Sequence, residues 1–143
     1  MINRSLRARN VFGVAALLAT TVVMTGCQDT IVKPLQAVND EQVILSADNF
    51  QFTAVNLDNV HDRRVYSWAN SGTVATVLHR SFIHHGLATV TIQDAVGDTV
   101  YNEIHLEWEL DSKTEAGVPG VWRVSLSFYG AKGRVDLRLQ KGP

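Results

Sequence analysis

A single cysteine, Cys27, is all the thiol chemistry this chain of 143 residues holds. No intramolecular disulfide can form, and zinc sites built on paired cysteines are excluded. Neither sign of charge is in excess: 13 Lys and Arg stand against 14 Asp and Glu, with no run of like charges. That balance gives no support to nucleic acid or to an acidic substrate as a partner. There is no internal repeat or low-complexity tract, and no apolar run reaches the roughly 20 residues of a membrane-spanning helix. No HExxH or GxSxG motif occurs, nor a glycine-rich phosphate loop leading into a helix. What is present is an apolar fraction of 45 %, ordinary for a globular chain, and a length that suits one domain.

The N-terminal residues have a definite pattern. MINRSLRARN (1–10) carries Arg4, Arg7 and Arg9 and no acid, and VFGVAALLATTVVM then runs uncharged from Val11 to Met24. A basic start followed by an apolar stretch of this length reads as a secretory signal peptide. The arginines are not adjacent, so the general route is expected rather than the twin-arginine one. The run ends in Met24-Thr25-Gly26-Cys27, which resembles the lipobox of bacterial lipoproteins, with Met24 where leucine is commonest.

The resemblance covers residues 1–27. It implies an S-diacylglyceryl group on Cys27, cleavage by signal peptidase II between Gly26 and Cys27, and acylation of the new amine. Two or three acyl chains hold a protein on a membrane essentially permanently, whereas one binds reversibly. Loss of the three leader arginines takes the formal charge from −1 to −4, so the body has no electrostatic attraction of its own to an anionic bilayer. In hosts with two membranes, the best-known inner-membrane retention signal is an aspartate directly after the acylated cysteine. Here Gln28 precedes Asp29, and the outer membrane is expected.

Residues 28–42 are polar, contain Pro34 and show no periodicity. They read as a flexible tether of about 20 Å average span, giving a division into leader 1–26, lipidated tether 27–42 and folded domain 43–143. From there the pattern is β. TVYNEIHLEWEL (99–110) places Val100, Ile104, Leu106, Trp108 and Leu110 on one face and Glu103, His105, Glu107 and Glu109 on the other, the period of a half-buried strand. VWRVSLSFY (121–129) turns Trp122, Val124, Leu126 and Phe128 inward, and RVDLRLQ (134–140) does so with Val135, Leu137 and Leu139.

Further strands are expected at 43–46, 49–57, 64–69, 73–79 and 87–93. Turns are expected at Asn70-Ser71-Gly72, Gly97-Asp98, Pro119-Gly120 and Gly130–Gly133. The fold class is all-β, an antiparallel β-sandwich of seven or eight strands. Outward Arg123, Arg134 and Arg138 are expected to pair across strands with Glu103, Glu107 and Glu109. The segment 86–140, with Asp94, Gly97, Gly120, Trp122 and Gly133, is similar in layout to pre-peptidase C-terminal domains and CUB-like sandwiches. That resemblance implies a fold and no activity.

The densest candidate for chemistry is HRSFIHHG, with His79, His84 and His85. Imidazoles are common metal ligands, but adjacent His84 and His85 point to opposite faces of an extended chain, and solvated histidines in a loop or at a strand end are the favoured reading. The row Glu103, His105, Glu107, Glu109 has same-face spacings of about 7 Å, too wide for successive residues to hold one ion. Trp68, Trp108 and Trp122 could stack on sugars, although Trp108 and Trp122 share parity with core aliphatics.

The expected function is that of a lipid-anchored bacterial envelope protein acting as a non-catalytic binding, adhesion or structural module. Its partners would be the membrane, through Cys27, and an envelope protein or glycan, with no cofactor and no metal. The alternative is a small metal-dependent or hydrolytic envelope enzyme using His79, His84 and His85.

Overall fold

The computed structural model describes residues 33–106 and 109–143. The leader, the lipobox with Gly26 and Cys27, and Glu107 and Trp108 lie outside the described residues. Seven strands follow one another: β1 (Gln42–Ser46), β2 (Asn49–Asn70), β3 (Ala75–Arg80), β4 (Phe82–Gln93), β5 (Thr99–Glu103), β6 (Glu109–Lys113) and β7 (Gly120–Lys141). All seven pair antiparallel. The helical content among the described residues is one 3-10 turn, Ala37–Asn39, and none of them forms a helix long and apolar enough to cross a membrane.

The sandwich is made by folding long strands over. β2 runs down one layer as Asn49–Ala54, paired to Val135–Gln140, and returns up the other as His61–Asn70, paired to Gly120–Tyr129. Its two ends meet again at the top, where the Asp48 N–H donates to the Ala69 carbonyl and the Lys141 N–H to the Asp48 carbonyl, both at 2.9 Å. β7 bends in the opposite sense, and β4 crosses with them, pairing Phe82 to Arg134 in the first layer and Leu87–Gln93 to Arg123–Tyr129 in the second. β1, β3 and β6 complete the first layer and β5 the second.

Each crossing strand carries register shifts at the vertex, and positive φ angles occur there at Asn56 (52°), Asn59 (55°), Gly86 (72°), Gly130 (63°) and Gly133 (137°). Bulges of this kind bend a strand and raise its twist. A side chain at Gly86 or Gly133 would overlap the carbonyl oxygens of Gly130 and Phe82, respectively, so close backbone approach requires glycine at both.

Between the layers lies one apolar core. Phe52 of the first layer meets Phe128 of the second at 6.2 Å between ring centroids, and Phe50 meets Tyr66 at 5.6 Å. Trp68 and Trp122, cross-strand partners, are both buried and pack edge to face at 5.9 Å.

Three expectations are corrected. The segments 49–57 and 64–69 are arms of one strand, as are 121–129 and 134–140, so Gly130–Gly133 is a bend inside a strand and not a turn between two. The expected strand 99–110 breaks after Glu103, because the chain there leaves the second layer to join the first. Ile104 is 53 % and Leu110 38 % exposed, while Leu106 is buried and donates its N–H to the Ala88 carbonyl. With that break, β6 lies beside β3 and not β7, so Glu109 pairs with Arg80 and Arg138 with Asp136 in place of the expected charge row.

The expected tether is docked from Lys33 onward. Lys33 bridges to Val60, Leu35 is buried and its N–H donates to Asp62 at 2.9 Å, and buried Asn39 donates to the Asn56 carbonyl at 2.9 Å. Glu41 then accepts from the Tyr66 hydroxyl (2.6 Å) and from Arg64 (3.1 Å). Burial, and then the Glu41 carboxylate, push the Tyr66 phenol well above its usual range, so Tyr66 donates at any physiological pH.

Candidate functional site

The three histidines do not converge. His79 is 2 % exposed and points into the core, opposite Leu137 and Leu110 on its flanking strands. His84 and His85 are both exposed on β4, because register shifts on either side of His85 cancel the alternation that would separate them. The His84 ring lies 5.8 Å from that of Phe82. Among the described residues no three His, Cys, Asp or Glu side chains are grouped as a metal site. Trp68 and Trp122, weighed as sugar platforms, are core residues.

What the fold does assemble is the outer face of the second layer. The registers place Ser67, Arg123 and Gln93 in one row, Val65, Ser125, Thr91 and Asn102 in the next, then Arg63, Ser127 and Thr89, then His61, Tyr129 and Leu87. No Asp or Glu occupies these rows, and among the described residues neither Arg63 nor Arg123 has a carboxylate partner. Arg123 was legible as an outward residue. The rows were not, because they depend on strand order, though the alternating Ser and Thr of VSLS and TVTI carried the signal.

The top row floors a depression of about 410 Å³, walled by the turn Asp94–Gly97 and by Val121, which is 62 % exposed. Asp94 is the one carboxylate there, and its own turn occupies it. Oδ2 accepts from the Val118 N–H at 2.7 Å, and Oδ1 from Val96, Gly97 and Asp98 N–H at 2.9–3.1 Å. The Val118 bond first, and then the turn amides, hold its carboxyl below the usual carboxylate range. Asp94 therefore shapes the site, with both of its oxygens engaged by backbone N–H groups. The groups left to face a ligand are the guanidinium of Arg123 and the Ser67 hydroxyl, with the Gln93 amide oxygen beside them, its Nε2 donating to the Gly97 carbonyl at 3.1 Å. They can bind by hydrogen bonding.

A pH prediction follows. A carboxylate with a depressed folded-state pKa stabilises the fold above its unfolded value, and that contribution fades as pH falls through the folded value. Stability should drop below about pH 4, the ordinary aspartate range, and Asp94→Asn should flatten that slope. Thermal melts of both proteins across the acid range check this, and parallel pH profiles would assign the acid sensitivity elsewhere.

No family model and no curated protein matches the chain. Among solved structures it is similar to TmCBM61 in complex with beta-1,4-galactotriose, at 11 % identity and a TM-score of 0.37, over 71 % of this chain and 70 % of that one. A likeness of that extent carries no argument about what this chain binds.

Proposed function

We propose that this chain is a lipid-anchored, non-catalytic binding module of a bacterial cell envelope. The observation that carries the reading is Met24-Thr25-Gly26-Cys27 at the end of a basic-then-apolar leader. Lipid on Cys27 gives the lone thiol its role, and two or more acyl chains supply lasting attachment. Gln28, in place of aspartate, directs the protein to the outer membrane where the host has two.

The binding surface is the upper part of the outer face of the second layer, around the depression at Ser67, Gln93 and Arg123. Hydrogen-bonding side chains on a rigid sheet, with the nearby carboxylate spent on its own turn, suit recognition of a polar envelope glycan or protein and not catalysis. The depression lies near the top of the arms, about 20 Å along the strands from the vertex where the N-terminal segment docks, so it faces away from the anchor.

Cys27→Ser tests the anchor. The variant should accept no label from a palmitate analogue and accumulate as uncleaved precursor, while the parent is labelled and processed. Equal labelling of the two would end the lipoprotein reading.

A further inference from the structure

Resting on the anchoring reading, we propose that the vertex of the sandwich is a membrane-apposed surface that contacts anionic lipid headgroups. The chain from Cys27 to Lys33 is six residues long, so it spans at most about 20 Å whatever its conformation. Lys33 is fixed at the vertex by its bridge to Val60 and its ion pair with Asp58, at 3.1 Å. The arms rise about 30 Å from that point. The anchor thus holds the vertex near the bilayer, while the top remains in water.

The chemistry of the vertex suits that position. Phe82 and Tyr129, aromatic side chains beside the vertex, are 52 % and 56 % exposed. Arg134 stands opposite Phe82, and Lys132 opposite His85. Asp58 pairs with both Lys33 and Lys132, and Arg134 is exposed two residues along β7 from Lys132. His61, cross-strand to Tyr129, and His84, beside Phe82, add no negative charge. Asp62, the next acid up β2, is engaged by the Leu35 N–H and by Arg64. Aromatic rings with basic side chains around them are the composition of the membrane–water boundary, and each cation near an anionic surface contributes favourably within a Debye length. The body as a whole is acidic, so this cationic end sets an orientation that net charge alone would not.

The test uses the full-length protein, processed and acylated in cells, purified and reconstituted into phosphatidylglycerol vesicles containing a headgroup-level quencher lipid. Lipid occupies the native thiol, so an introduced cysteine is the one reactive site for a fluorescent label. Labels at Phe82→Cys and Tyr129→Cys should lose roughly half or more of their emission, since side chains at headgroup depth meet the quencher. A label at Val121→Cys should keep its emission. Adding Arg134→Glu to Phe82→Cys should restore emission on these vesicles.

Equal emission at positions 82 and 121 in protein shown by mass to be acylated overturns the orientation and leaves the anchor standing. So does quenching at 82 that Arg134→Glu does not change, because the headgroup contact is then not electrostatic. Protein whose mass carries no acyl chain overturns the anchor, and the orientation with it.

Discussion

Gly133→Ala should destabilise the domain by about 3 kcal/mol or more, a large share of the roughly 5–15 kcal/mol that holds a domain of this size together. Two independent costs combine there. The φ of 137° disfavours any side chain, and a Cβ would overlap the Phe82 carbonyl and lie 3.2 Å from the Ile83 Cα. Backbone in a paired strand cannot yield as a side-chain tip can. Gly97→Ala is the internal control: its φ is 98°, yet a Cβ there meets nothing within 4 Å. It should cost only about 1–2 kcal/mol of backbone strain. Denaturant unfolding of both variants separates the terms. Equal losses would mean that the vertex opens freely, and the folded-over architecture would lack its constraint.

Trp122→Ala should cost about 3–5 kcal/mol, the usual range for emptying a buried aromatic site. Trp122 is fully buried, packs edge to face against Trp68, and donates its indole N–H to the Val118 carbonyl at 2.8 Å. Val118 also binds Asp94 through its own N–H, so the ring and the turn beneath the candidate site share a support. The variant should melt far below the parent and lose the depression's geometry. A melting temperature close to the parent's would show that the two tryptophans are not the keystone of that end.

The inward parity of Trp122, Val124, Leu126 and Phe128, and of Val135, Leu137 and Leu139, was legible because a strand with one buried face repeats every two residues. The same rule failed over 99–110. Alternation says nothing of which sheet a residue faces, and the chain changes layers between Glu103 and Glu109. The bend in β2 was hidden for another reason: Asn56 and Asn59 adopt left-handed conformations without any glycine to mark them, and the polar residues around them read as a break. Of the candidate site, Arg123 and the turn from Asp94 to Gly97 could be placed in advance. The row of Arg123 with Ser67 and Gln93 comes from segments far apart in sequence that strand order alone brings together.

The most direct measurement of the central claim is the mass of the N-terminal peptide of the native protein recovered from membranes. The account predicts a chain beginning at Cys27, with a diacylglyceryl group on its sulfur and an acyl group on its amine. A peptide that retains Met24-Thr25-Gly26, or one that begins at Cys27 with a free thiol, would contradict it.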